Sequence, residues 1–177
     1  MTQYIYAFDK GQKSMKDLLG GKGANLAEMK RIGLPVPDGF TITTEACINY
    51  LKHGAKLSHT LLKELDEQLT AFSKRTNKSF SSEDNLLLVS VRSGAKISMP
   101  GMMDTILNLG LNDENVEKLA NKTNDMRFAY DCYRRLLQMF GEVVYDIPMA
   151  SFDTYFEQYK VQNGYQNDAD IPADGLK

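Results

Sequence analysis

The sequence predicts an α+β fold in which a small mixed sheet with helices occupies residues 1–111 and a helical subdomain occupies residues 112–177. Short apolar or alternating runs bounded by turn residues indicate the strands. Apolar residues that recur at helical spacing indicate amphipathic helices, and the strongest such pattern lies after residue 111. A chain of 177 residues can bury a real core and can form two small subdomains.

Four short runs are predicted to be strands: residues 4–8, 40–43, 86–91 and 105–109. The first is expected to join the sheet formed by the later strands. The third is apolar without alternation, which suits a strand buried on both faces. The fourth alternates, with Thr105, Leu107 and Leu109 on one face and Ile106 and Asn108 on the other.

Helical spacing and end signals predict the helices. Thr44 and Ser58 are expected to cap two of them, and Thr154 with Glu157 fits a capping box. Asp131 and Arg135 are expected to form an exposed pair one turn apart. The predicted helices are residues 24–32, 44–53, 58–72, a short helix capped by Asn112, 126–145 and 154–162.

Arg92 ends the apolar run 86–91. A guanidinium at the end of a buried strand is held by a rigid scaffold, and its fork of donors matches phosphate oxygens. This position indicates an anion site. An ordinary salt bridge at a strand end explains the spacing equally well.

The loop after Arg92, residues 93–103, contains Gly94, Lys96 and Gly101 among methionines. Glycine lets the backbone approach a ligand, lysine adds charge, and thioethers form an adaptable apolar wall. Between two adjacent strands, such a loop is typical of a lid over a phosphate-bearing ligand. The methionines could instead be core filler beneath a surface loop.

A second glycine-rich stretch, residues 18–23, precedes the predicted helix 24–32 and contains Lys22. A glycine turn that feeds a helix N-terminus can present backbone N–H groups to an anion. The stretch is not a P-loop, because the Gly-x4-Gly-Lys-Ser/Thr order is absent. A glycine turn with a solvated lysine is the alternative.

Composition excludes several other classes. Twenty-one basic against 23 acidic residues give a net charge of −2, so no global basic field indicates nucleic acid or an anionic membrane as a partner. No apolar run approaches the roughly 20 residues that span a bilayer. Cys47 and Cys132 lack zinc-site spacing and are expected to be free thiols in a cytoplasmic protein, while His53 and His59 are expected to be surface residues at helix ends.

Four blocks of the sequence closely resemble, in order, the N-terminal nucleotide-binding region of the pyruvate, phosphate dikinase family, which belongs to the enzymes that use phosphoenolpyruvate. The segment 98–105 is of the dikinase type, whereas related synthases and antibiotic phosphotransferases usually carry a Phe-Ala-Gly-Gln-type loop there. The blocks are LLGGKGANLAEM (18–29), LPVPDGFTITTEAC (34–47), LLVSVRSGAKISMPGMMDTILNLGLND (87–113) and RFAYDCYRRLLQMFGEVV (127–144).

The resemblance implies an ATP-grasp-like nucleotide-binding domain in which Lys22 and Arg92 bind ATP phosphates and Gly101 and Thr105 contact the nucleotide. It also implies ATP and Mg²⁺ as cofactors, with the metal ligands outside this chain. The implied full-length enzyme is a homo-oligomer that converts ATP, phosphate and pyruvate to AMP, pyrophosphate and phosphoenolpyruvate. A histidine on another domain would carry the phosphoryl group, so no catalytic residue is expected in this chain.

Several parts of the family pattern are absent. Neither His53 nor His59 stands two residues after a threonine, as the carrier histidine does, and the second ATP-grasp half and the pyruvate-binding barrel are missing. We therefore expect a catalytically incomplete N-terminal fragment of such an enzyme. The alternative is a stand-alone α+β module that binds a phosphorylated ligand or a protein partner.

Overall fold

The computed structural model describes residues 2–81, 85–94 and 104–177, which are mostly helical and form two two-stranded sheets. The strands are β1 (Ile5–Ala7), β2 (Phe40–Ile42), β3 (Val89–Arg92) and β4 (Thr105–Leu109). The helices are α1 (Lys16–Arg31), α2 (Thr44–Lys52), α3 (His59–Thr76), α4 (Asn115–Thr123), α5 (Met126–Tyr145), α6 (Met149–Asn163) and α7 (Ala173–Leu176), with 3₁₀ turns at Phe8–Lys10, Lys13–Met15 and Asp168–Asp170.

The chain divides into two compact units. The first comprises Met1–Asn77 and Ser93–Met103, and the second comprises Lys78–Arg92 and Asp104–Lys177. This division does not coincide with the expected boundary between residues 111 and 112, which stays a prediction about functional subdomains.

In the first unit, β1 pairs with β2 in an antiparallel ladder that sets Ile5 opposite Ile42. Within the described residues, the expectation that the first strand joins the sheet of the later strands is therefore wrong. Each sheet has two antiparallel strands, so the expected small mixed sheet is not formed there. Backbone pairing continues past β2, where the N–H of Thr43 donates to the carbonyl of Tyr4 at 2.9 Å.

Helices α2 and α3 pack on this sheet. Ile5, Ala46 and Leu61 form a buried cluster, which removes apolar surface from β1 and from both helices at once. The carboxylate of Glu64 on α3 accepts hydrogen bonds from the N–H groups of Tyr4 and Ile5 at 2.7 and 3.0 Å. A side chain, and not a third strand, thereby accepts hydrogen bonds from the backbone N–H groups at the start of β1.

The predicted cap of α3 is confirmed, and the predicted cap of α2 is wrong by one residue. Ser58 accepts from the N–H of Leu61 at 3.2 Å. Thr43, not Thr44, caps α2 by accepting from the N–H of Ala46 at 3.2 Å. Thr44 is already helical and its hydroxyl makes a different contact, described below.

In the second unit, β3 and β4 form an antiparallel ladder. The strand predicted at 86–91 and buried on both faces is instead Val89–Arg92, and Val91 is 47% exposed. Only Leu87 of that run is buried. Strand β3 has a single neighbouring strand in its two-stranded sheet, so solvent reaches its edge even at Val91, and this accounts for the difference.

The covered face of this sheet packs on α5. Ile106, Leu111 and Leu136 form its buried cluster. The predicted alternation of β4 holds for Ile106 and Leu107 and then fails, because Asn108 adopts a positive φ of 59° beside a register shift in the ladder. This bulge turns Leu109 towards the core cluster, where it is partly buried.

Polar side chains precede two of the remaining helices, α4 and α5. The side chain of Asn112 accepts from the N–H groups of Glu114 and Asn115 before α4, as predicted. The sequence predicts Asn124 or Asp125 at the start of α5, and Asp125 caps it. Helix α6 begins at Met149 and not at Thr154. The Thr154 hydroxyl donates to the carbonyl of Ala150 inside the helix and does not cap it.

Candidate functional site

Lys22 lies just after a break in helix α1. Gly20 has φ 70° and ψ 171°, a conformation that interrupts the helix and that strains any residue with a Cβ. The glycine-rich stretch is therefore part of α1 and not a turn before it, but Gly20 gives the second segment a helical start of its own. Such a start leaves N–H groups without intrahelical acceptors, and Lys22 stands in that first turn, half-buried.

Gly23, the residue after Lys22, allows a close approach between α1 and β2. A Cβ at Gly23 would lie 2.7 Å from Oγ1 and 2.8 Å from Cγ2 of Thr41. The two glycines thus have different roles: Gly20 permits the break, and Gly23 permits contact with the sheet.

Arg92 and Thr105 are direct cross-strand partners, the last pair of the β3–β4 ladder before residues 93–104. Cross-strand partners lie on the same face of a sheet, so Arg92 and Thr105 share one face. The next pair, Val91 and the buried Ile106, lies on the opposite face. Arg92 is exposed and Thr105 is half-buried. The structure thereby brings together two residues that the sequence pointed to separately.

Neither candidate cation has a carboxylate partner in the described ranges. No hydrogen bond or ion pair involves the ammonium of Lys22 or the guanidinium of Arg92 among residues 2–81, 85–94 and 104–177. The salt bridge that offered an alternative explanation of Arg92 is therefore not found within those ranges. No described residue occupies a donor of either side chain, so these donors can serve an anion.

Other basic residues are, by contrast, held in structural pairs. Lys30 contacts Asp38 at 2.8 Å and, through its hydrogen bond, lowers the pKa of that carboxyl. Burial opposes ionisation of Asp131, but hydrogen bonds and charge from Arg134 and Arg135 outweigh burial and lower its pKa. The predicted contact between Asp131 and Arg135 is confirmed, with Nε 2.8 Å from Oδ2.

Gly101, the fourth site residue implied by the resemblance, lies outside the described residues, as do Lys96 and the methionines of the same loop. Lys22 belongs to the first unit, whereas Arg92 and Thr105 belong to the second. That all three bind one ligand is therefore a proposal and not an observation.

The histidines and cysteines lie where the sequence predicted them. His53 and His59 lie at helix ends and are exposed, and Cys47 and Cys132 are free thiols. The described residues contain no group of three or more His, Cys, Asp and Glu side chains that could hold a metal ion. No helix in the described part of the chain is long and apolar enough to cross a membrane.

The sequence did not predict the contact between Thr41 and the glycine-rich helix α1, and it predicted Thr44 as the N-cap of α2. The hydroxyl of Thr44 in fact donates to the carbonyl of Asp17 at 2.8 Å. The only sequence signal was the run of threonines at 41, 43 and 44 after a Pro-Asp-Gly turn.

Sequence similarity links the chain to one group of known proteins. Residues 16–77 match the family model described as pyruvate phosphate dikinase, AMP/ATP-binding domain. The chain is 49% identical over its full length to pyruvate, phosphate dikinase of Clostridium symbiosum and 49% identical over 99% of its length to that of Entamoeba histolytica. It is 55% identical over 98% of its length to a chloroplastic pyruvate, phosphate dikinase of Oryza sativa.

The chain spans only about a fifth of the length of these relatives, 20% of the first two and 19% of the third. The aligned residues nevertheless extend through both compact units, with an overall identity of 49% to 55%. The chain is accordingly a homologue of the N-terminal AMP/ATP-binding region of pyruvate, phosphate dikinase.

Proposed function

We propose that this chain is the N-terminal part of the ATP-binding domain of a pyruvate, phosphate dikinase, with an ATP-grasp-like architecture, and that it is catalytically incomplete on its own. Lys22, Arg92, Gly101 and Thr105 bind ATP in this proposal. The full-length enzyme would use ATP, phosphate and pyruvate to form AMP, pyrophosphate and phosphoenolpyruvate. Its carrier histidine, pyruvate site and metal ligands would lie outside these 177 residues.

The observation that carries the proposal is the pairing of Arg92 with Thr105 at the end of the β3–β4 ladder. A guanidinium without a carboxylate partner in the described residues can donate two parallel hydrogen bonds to one phosphate. A threonine hydroxyl directly opposite can donate a third.

The chemistry assigned to these residues is electrostatic. Phosphoryl transfer to the carrier histidine breaks a bond to a phosphate oxygen, and negative charge shifts onto the leaving group. Fixed cations lower the barrier when they hold the phosphates in line and stabilise that charge as it develops. Lys22 supplies a point charge, and Arg92 supplies a planar fork that also orients the group.

A cytoplasmic location and a homo-oligomeric full-length enzyme are part of the same proposal. The free thiols of Cys47 and Cys132 support a reducing compartment. Several of the relatives, including the rice protein, are chloroplastic, so the compartment differs within the family.

The test replaces Lys22 with methionine in the full-length dikinase that we propose contains this chain. We expect the rate of carrier-histidine phosphorylation by ATP to fall about 100-fold or more, the order found when one charge-stabilising donor is removed. Phosphoryl exchange between phosphoenolpyruvate and pyruvate should persist, because it needs no ATP.

The matched control is Lys56→Met, which removes an exposed lysine of the same unit that has no ion pair among the described residues. It should leave both half-reactions unchanged. If Lys22→Met behaved like Lys56→Met, the proposal for Lys22 would be wrong.

A further inference from the structure

One short segment contacts helix α1 on both sides of its break. Before Gly20, the hydroxyl of Thr44 donates to the carbonyl of Asp17 at 2.8 Å. After Gly20, Thr41 lies against Gly23 so closely that a Cβ there would be 2.7 Å from its Oγ1. The two contacts therefore bracket the residue that interrupts the helix.

The segment that makes these contacts is itself held firmly. Thr41 pairs with Tyr6 in the β1–β2 ladder. Thr43, between the two contacting threonines, is 1% exposed, donates its N–H to Tyr4 and caps α2 with its hydroxyl. Residues 41–44 consequently form a rigid support for both parts of α1.

Lys22 depends on the direction of the second part of α1. It stands two residues after Gly20, between the buried glycines 21 and 23. A helix broken at a glycine can bend there, because the backbone no longer carries the continuous ladder of hydrogen bonds. A displacement of about 1 Å at a group that positions a substrate can cost about 100-fold in rate.

We propose that Thr41 and Thr44 are positioning residues for Lys22. They fix the angle of α1 at Gly20, Thr41 by packing against Gly23 and Thr44 by its hydrogen bond to Asp17. They touch no ligand themselves, and their effect on ATP passes through the ammonium of Lys22. This inference rests on the proposed role of Lys22 in binding ATP phosphates.

The test is a pair of variants in the full-length dikinase, Gly23→Ala and Gly23→Ala/Thr41→Ala. The single variant puts a methyl group against Oγ1 and Cγ2 of Thr41. The second substitution deletes both of those atoms, and the next nearest atom to the new methyl is then Cβ of Leu19 at 3.3 Å. The double variant should therefore relieve the crowding that the single one creates.

The measurement is the dissociation constant of ATP and, separately, that of adenosine, which has no phosphate for Lys22 to bind. We expect Gly23→Ala to weaken ATP binding about tenfold, which is about 1.4 kcal/mol, and to leave adenosine binding unchanged within about twofold. The double variant should restore the ratio of the two constants. A purely structural role would weaken both ligands together and would overturn the inference, as would a double variant that restores nothing.

Two further variants make the result decisive. Thr44→Val removes the hydrogen bond to Asp17 without adding bulk, so it should shift the ratio in the same direction as Gly23→Ala. Gly141→Ala crowds helix α5 in the second unit instead, where its methyl group would lie 2.6 Å from Cζ of Phe152. It should lower the melting temperature and leave the ratio unchanged.

The inference and the proposed function fail differently. If Lys22→Met does not weaken ATP relative to adenosine, the role of Lys22 itself is wrong. If Lys22→Met does so while Gly23→Ala and Thr44→Val do not, Lys22 binds phosphate without help from Thr41 and Thr44.

Discussion

At the scale of single residues, the clearest contrast is between cations with and without carboxylate partners. Lys30 and Arg134 contact Asp38 and Asp131 at 2.8 and 2.7 Å. Lys22 and Arg92 have no such contacts within the described ranges. Exposed ion pairs contribute little to stability, so an arginine that forms none there can be replaced with a small effect on folding.

We therefore expect Arg92→Lys in the full-length dikinase to reduce the rate of ATP-dependent phosphorylation of the carrier histidine strongly, with little change in melting temperature. Lysine keeps the charge and loses the bidentate fork. Rapid-quench measurement of the phosphohistidine gives the rate, and Arg75→Lys, an exposed arginine of the first unit, serves as the control. A large fall in melting temperature with normal phosphorylation would instead make Arg92 a structural residue.

The sequence predicted which residues belong to the candidate site better than it predicted their contacts. Arg92 and Thr105 were both singled out, but their pairing depends on the register of the ladder, which a local pattern does not fix. The role of Thr41 was missed because a close contact with Gly23 joins residues 18 positions apart. Contacts of that range leave no periodic trace in the sequence.

At the scale of elements, helix α5 holds a charged cluster on a partly buried face. Asp131 contacts Arg134 at 2.7 Å and Arg135 at 2.8 Å, and the guanidinium of Arg134 also lies 4.4 Å from the ring centre of Phe156 on α6. The cluster therefore links two helices through one carboxylate and one arginine. Its strength depends on the ionisation of Asp131.

We expect Asp131→Asn to lower the free energy of unfolding of the 177-residue chain by about 1.5–3 kcal/mol at pH 7, the range for hydrogen bonds to charged groups. The pKa of Asp131 is lowered by folding, so its contribution is full above the ordinary carboxyl pKa and is lost as the pH falls through the lower, folded value.

Urea unfolding at pH 7 and at about pH 3, below the ordinary carboxyl pKa, tests this expectation. The difference between wild type and Asp131→Asn should shrink at the lower pH. Asp153→Asn, an exposed residue of α6 without an ion pair in the described part of the chain, should differ little from wild type at either pH. A difference for Asp131→Asn that stayed constant with pH would contradict the expectation.

Helix positions were predicted better than strand partners, for a physical reason. The apolar spacing of α3 and α5 and the caps Ser58 and Asp125 are local signals, and the helices form where they indicate. Strand pairing is not local: β1 was expected beside the later strands and pairs with β2. The run at 86–91 was expected to be buried on both faces. This expectation is wrong, because apolar content alone does not reveal how many layers cover a sheet.

At the scale of the whole molecule, the chain spans about a fifth of its relatives. We propose that the metal ligands and also the segment that binds adenine lie outside it, so that the chain retains only part of the contacts to ATP. The loss of several contacts worth about 1–3 kcal/mol each can move a micromolar ligand beyond millimolar affinity.

We expect the isolated 177-residue chain to bind ATP with a dissociation constant of about 1 mM or weaker, with no enhancement by Mg²⁺. Isothermal titration calorimetry with and without Mg²⁺ measures both. The full-length dikinase, titrated in the same buffer, is the positive control. A tight and Mg²⁺-dependent isotherm from the chain alone would mean that its nucleotide site is complete.

The two sheets also differ in how they are reached during folding. Arg92 and Thr105 are 13 positions apart, whereas Ala7 and Phe40, paired at the end of the first ladder, are 33 apart with all of α1 between them. Closing the longer loop costs only about 0.8 kcal/mol more entropy if that loop is flexible. Once α1 has formed, however, its 16 residues no longer belong to a flexible loop, and residues 8–15 and 32–39 on either side of it must bring the ends of β1 and β2 together. Formation of the first sheet is thus linked to formation of the helix that holds Lys22.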